Sequence, residues 1–163
     1  MAIGYDPQVR IATPEDLADL VRLAARARDD VAAERGGEVF LYRDARPWPV
    51  EPSLRSDLED SGRLVVVGAL GTVALGYAVA AVEPTRGPDL AVVSDLYVEP
   101  EARGVGLGRQ MMDALVSWAT EQGCQGIDAV ALPGDRATKN FFEGFGLVAR
   151  KITVHRPLAP PDA

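Results

Sequence analysis

In the stretch Ser94-Asp95-Leu96-Tyr97-Val98-Glu99-Pro100-Glu101-Ala102-Arg103-Gly104-Val105-Gly106-Leu107-Gly108, a strand ends at Glu99-Pro100 and three glycines lead into a helix. Glycine lets backbone approach a ligand closely and adopt turns that other residues resist. The first amides of the helix have no intrahelical partner, and its dipole favours negative charge there by about 0.3–1 kcal/mol. A strand, a glycine turn and a helix start in that order form a pyrophosphate cradle. Arg103 and Arg109 add positive charge to an otherwise acidic chain. Two other glycine loops do not fit. The dinucleotide fingerprint belongs to a first strand-turn-helix unit, and the nucleotide P-loop needs a following Gly-Lys-Ser/Thr.

Leu90 to Glu99 reads as a strand, and a helix runs from Gly106 to about Glu121 with Leu107, Met111, Leu115 and Trp118 as its apolar stripe. On the amino-terminal side, Val9 to Ala12 is a strand. Thr13-Pro14-Glu15-Asp16 starts a helix whose buried face is Leu17, Leu20, Val21, Ala24, Ala27 and Val31, ended by Gly36-Gly37. The run from Glu38 to Pro52, with prolines at 47, 49 and 52, reads as an irregular loop suited to substrate contacts. A short helix follows, capped by Ser53 and stopped by Gly62. Arg63 to Leu70 and Val73 to Glu83 read as a hairpin. Toward the carboxyl end come a strand from Ile127 to Leu132, a helix from Asp135 to Phe145 and a last strand from Leu147 to about Arg156. The order predicts an α/β (α+β by some schemes) fold with a mixed, mostly antiparallel sheet of about six to seven strands and about four helices.

The 163 residues suit one domain, with a core from Val9 to Pro157 and a frayed tail over 158–163. A chain this long buries roughly 70% of its unfolded surface, so neither metal nor disulfide is required. Cys124, the single cysteine, and an amino terminus without signal-peptide character point to the cytoplasm. The apolar run from Leu64 to Val82 breaks at Gly71-Thr72 and reads as two strands, not a membrane span. A net charge of −7 argues against nucleic acid as a partner.

The quoted stretch resembles the signature of the GNAT N-acetyltransferase superfamily, in which Arg103, Gly106 and Gly108 stand at the positions of the acyl-CoA pyrophosphate loop. A second segment, Leu132-Pro133-Gly134-Asp135-Arg136-Ala137-Thr138-Lys139-Asn140-Phe141-Phe142-Glu143-Gly144-Phe145-Gly146-Leu147, is similar to the family's closing strand-helix-glycine segment. The resemblance implies direct transfer of an acetyl group from acetyl-CoA to a small amine or a protein amino group. It also implies a bulged fourth strand that splays from the fifth. Backbone amides near Leu96 and Val98 then hold the pantetheine, and those of Gly104, Val105, Gly106, Leu107, Gly108 and Arg109 hold the pyrophosphate. Association into a homodimer is compatible with it.

The chain departs from the family's pattern at three positions. Phe142 stands where many members have a Tyr that protonates the thiolate. Asp135 stands where many have an Asn, and keeps only the capping role. Ser94-Asp95 stands where polyamine-acetylating members have Glu-Asp; Ser94 is no strong base but can anchor a water. Asp95, Glu83, Tyr97 and His155 are the groups left to bind or deprotonate an amine, each with a structural role as the competing reading. A non-catalytic acyl-CoA-binding sensor or assembly domain is the rival function.

Overall fold

The computed structural model describes residues 5–160; Met1 to Gly4 and 161–163, which include part of the amino terminus and tail read above, lie outside the described residues. The elements in chain order are β1 (Pro7–Ile11), α1 (Leu17–Ala32), α2 (Gly37–Arg43), α3 (Glu51–Glu59), β2 (Arg63–Leu70), β3 (Val73–Glu83), β4 (Leu90–Val98), α4 (Leu107–Glu121), β5 (Gly126–Asp128) and α5 (Arg136–Glu143). The strands form one sheet in the order β1-β2-β3-β4-β5. The first four are antiparallel, and β5 runs parallel to β4.

Each sheet face carries its own core. On one side Leu20, Leu23 and Ala24 of α1 and Leu54 of α3 pack on Val65, Val67, Tyr77, Val79 and Tyr97. On the other, Met111, Met112 and Leu115 of α4, with Phe142 of α5, pack on Leu64, Val66, Ala78, Ala80 and Val93. The apolar run from Leu64 to Val82 forms the β2–β3 hairpin at the centre. Among the described residues no helix is long and apolar enough to cross a membrane.

Several expectations need correction. Among the described residues there are five strands and five α-helices, against about six to seven and about four read from the pattern. The Glu38–Pro52 run is not irregular throughout, because α2 occupies its first part. Its prolines all lie beyond that helix, and Glu38 in the first turn and Arg43 in the last suit the helix dipole. Ser53 does not cap α3. The helix starts earlier, at Glu51, and the Ser53 hydroxyl donates back to the Val50 carbonyl at 3.0 Å. α1 ends at Ala32, short of the glycine pair.

The last expected strand does not form. The chain from 147 to 160 has no regular structure, and Val148, Ile152 and Val154 are 81%, 83% and 89% exposed. A strand needs a ladder partner as well as an alternating pattern. Here β5 leaves the ladder after Asp128, not Leu132, so no regular edge is presented to that segment.

Candidate active site

The ladder between β4 and β5 is short, pairing Leu90 with Gly126, Ala91 with Ile127 and Val92 with Asp128. β5 ends at Asp128, so beyond Val92 that edge of β4 has no strand partner, although the Val98 carbonyl accepts from Arg103. On its other edge β4 pairs with β3, but the register skips. Val79 lies opposite Asp95 and Ala80 opposite Val93, leaving Ser94 as the extra residue of a bulge. A bulge bends its strand and re-aims side chains. Val93 therefore packs on the α4 side, whereas Tyr97 packs on the α1 side. In a regular strand the two would share a face.

At the end of β4, a short 3-10 turn over Pro100–Ala102 leads to Gly104 and Gly106, whose φ values are +85° and +98°. A Cβ at either would meet nothing within 4 Å. These positions need glycine for their backbone angle, while the space beside them is open. Gln110 N–H makes a helical bond to the Gly106 carbonyl at 3.0 Å. The amides before it are the orphan donors of the helix start. Leu107 is buried and anchors the turn, while Val105 and Arg109 are exposed. Arg103 folds back, its Nε donating to the Val98 carbonyl at 2.9 Å and its guanidinium lying 5.8 Å from the Tyr97 ring. Arg109 stacks over Phe145 at 5.1 Å.

Asp95 and Tyr97 of β4 and Glu99 just past its end alternate toward α1–α3, and each is contacted by arginine. The Asp95 carboxylate takes four donors. Oδ1 accepts from the Tyr77 hydroxyl at 2.9 Å and Arg46 Nε at 3.3 Å, and Oδ2 from Arg46 Nη2 at 2.7 Å and the Ser94 hydroxyl at 2.7 Å. A carboxylate offers about four acceptor sites, so none remains free. Arg46 also donates to Ser53 at 3.0 Å and approaches Asp57 Oδ2 at 2.7 Å. That last contact is a charge contact without a directed hydrogen bond, for Asp57 Oδ2 is buried with no bonded donor. Burial pulls the Arg46 pKa down, but the bonds and charge of Asp95 outweigh it and the net direction is up. Burial, then the charge of Asp95, pushes the Tyr77 hydroxyl well above its ordinary value, so it stays a donor.

Glu99 is 3% exposed and held by Arg22 at 2.9 Å and Arg26 at 2.7 Å, both from α1. Arg22 also donates to the Ala74 carbonyl at 2.8 Å. Tyr97 is buried, and burial, then the charges of Asp30 and Glu99, raises its pKa.

The remaining candidates lie apart. Glu83 is exposed at the end of β3, opposite Leu90 and three residues past the bulge, about 10 Å along the strand. His155 sits on the exposed segment after α5. Asp135 caps α5, accepting from Thr138 N–H at 3.0 Å and its hydroxyl at 2.5 Å. Phe142 is 7% exposed within the α4-side core, and Phe141 is the ring nearest Gly108. Sequence reasoning missed Arg46, Tyr77 and Glu99 as partners. Tyr77 carried a signal: a hydroxyl-tipped ring inside an aliphatic strand needs a buried partner.

Residues 25–147 match the family model described as acetyltransferase (GNAT). No curated protein matches the sequence. Among solved structures, a mutant of a Bacillus halodurans protein is similar with a TM-score of 0.82 at 22% identity, covering 93% of this chain and 99% of that one. A Trypanosoma brucei acetyltransferase gives 0.68 at 20%, covering 94% and 100%. An aminoglycoside N-acetyltransferase in complex with CoA gives 0.74 at 15%, covering 98% and 99%. At these identities the likeness is one of fold.

Proposed function

The chain belongs to the GNAT acetyltransferase family, and from that premise we propose that it moves an acetyl group from acetyl-CoA to a primary amine by direct attack. The observation that carries this reading is the open glycine turn at Gly104 and Gly106, placed at the end of a strand that has one edge without a strand partner beyond Val92. Amides from Gly104 to Arg109 receive the pyrophosphate. The unpaired edge of β4 at Leu96 and Val98 receives the pantetheine and places a backbone donor at the thioester carbonyl. Such a donor stabilises the oxyanion that forms when the amine nitrogen attacks. The carbon–sulfur bond then breaks and the thiolate takes a proton. Arg103 supplies positive charge beside the cradle, while Asp135 and Phe142 shape α5 next to it.

A CoA-bound aminoglycoside N-acetyltransferase of the same fold supports an acyl-CoA donor and an amine acceptor. The work of a base remains to be done by a group with a free lone pair, and Asp95 has none. Glu83, Tyr97 and His155 do not converge on the bulge. That dispersal favours the second reading, an acyl-CoA-binding domain without turnover.

Gly106→Val tests the cradle. The turn would carry backbone strain of about 1–3 kcal/mol, while the space where the Cβ would stand is open. Acetyl-CoA binding measured by calorimetry should disappear while near-ultraviolet dichroism stays native. Wild-type affinity in that variant would remove the cradle assignment. Thiol release from acetyl-CoA with a panel of amines separates the two readings.

A further inference from the structure

Asp95, Tyr97 and Glu99 turn their backbone groups toward β3. Glu99 N–H donates to the Leu75 carbonyl at 2.8 Å, and Tyr97 and Asp95 follow the same alternation opposite Tyr77 and Val79. The amides of Leu96 and Val98 therefore face the edge that β5 leaves unpaired. That orientation depends on the bulge at Ser94. Counting on from the Ala80–Val93 pair without the extra residue would set Asp95 opposite Ala78. Directly opposed side chains share a face, and Ala78 lies in the core with Met111, Met112 and Leu115. A carboxylate there would be buried among apolar side chains, at heavy cost. The unbulged register would also turn the Leu96 and Val98 amides toward β3. In the bulged register Asp95 has its four donors, and Arg46 supplies two of them. Arg46 comes from the loop between α2 and α3, where Arg28 of α1 donates to its carbonyl at 2.9 Å.

We propose that Arg46 is a positioning residue for acyl-CoA: by holding Asp95 it selects the register of β4 that turns the Leu96 and Val98 amides toward the pantetheine. The inference rests on the acyl-CoA reading for what lies along that edge. It goes beyond that reading in placing control of cofactor affinity outside the cofactor strand, in the α2–α3 loop. Arg46 itself touches no ligand and moves no proton. Its influence reaches the thioester end of the cofactor and stops short of the pyrophosphate turn. Glu99 is anchored separately by Arg22 and Arg26, and Gly104 and Gly106 owe their angles to the chain itself.

The test compares calorimetric binding of acetyl-CoA with that of adenosine 3′-phosphate 5′-diphosphate, which carries the pyrophosphate without the pantetheine. Arg46→Lys keeps a cation between Asp95 and Asp57 but lacks the rigid fork that bonds both Asp95 oxygens. It should weaken acetyl-CoA about tenfold and leave the affinity of the fragment unchanged. Should Arg46→Lys fail to fold, Asp95→Asn loosens the same link from its other end and should show the same split. Amide hydrogen exchange gives a readout that lost stability alone would not move. In wild type the Asp95 and Tyr97 amides should exchange slowly and those of Leu96 and Val98 quickly, and bound acetyl-CoA should slow the second pair. Either variant should narrow the contrast between the pairs. Equal acetyl-CoA affinity in wild type and variant overturns the inference, and so does an equal loss for both ligands. A wild type whose slow pair is Leu96 and Val98 overturns it without any variant. A wild type that binds neither ligand overturns the acyl-CoA reading, and the inference with it.

Discussion

The bulge in the middle of β4 and the turn just past its end solve one electrostatic problem in different ways. At the bulge, Asp95 is neutralised by Arg46, a guanidinium only 9% exposed that also serves Ser53 and Asp57. At the cradle end, Glu99 is just as buried, but its arginines are 40% and 55% exposed. Water can solvate Arg22 and Arg26 if the pair opens, and it cannot do so for Arg46. The bulge end is accordingly a fixed frame. The cradle end is a tether from α1 with charge left facing solvent beside a phosphate-shaped turn.

The largest expected effect comes from removing the buried cation. Arg46→Met leaves Asp95 and Asp57 inside without their main partner and should cost about 3–5 kcal/mol in urea unfolding. Glu99→Gln strips the charge from a carboxylate whose partners stay hydrated, and about 1 kcal/mol is expected in the same measurement. Its cost should also shrink a little in added salt, because the two arginines, unlike the carboxylate, are exposed to screening. Equal costs for the two variants would break the comparison.

A pair outside β4 sharpens it. Asp16 is bonded by Arg10 at 2.7 and 2.6 Å, and that bond holds its carboxyl below the ordinary value against the opposing effect of burial. A folded pKa below the unfolded one adds stability that is full above about pH 4 and is lost as pH falls through the folded value. Asp16→Asn should flatten that acid limb in unfolding curves taken at successive pH, and an unchanged limb would assign it to other carboxylates. The smallest effect is expected at Ile152→Ser, within about 0.5 kcal/mol, because the side chain is already 83% exposed. A loss of several kcal/mol there would show that the segment packs in solution.

Most helices and the central hairpin were legible because their signals are local. The α1 stripe, the α4 stripe with Met111 and Leu115, and the break at Gly71-Thr72 each depend on residues within a few positions of one another. The glycine turn was legible for the same reason, since positive φ at Gly104 and Gly106 is a demand of the chain itself. α2 was misread because three prolines downstream outweighed a weak helical pattern. The alternation from Val148 to Val154 was a true strand pattern without an edge to complete it.

Sequence by itself determined the hydrophobic period of each long element and the glycine turn at the start of α4. It also determined the acidic charge against which the arginines stand out. Only the tertiary structure decided that β4 bulges at Ser94, that this bulge sets Val93 and Tyr97 on opposite faces, and that Arg46 reaches Asp95 across 49 residues of sequence. Register and long-range charge pairing are properties of two chain segments at once. A one-residue skip changes which face every later side chain takes, and nothing in the local run around Ser94 encodes the partner strand that imposes it.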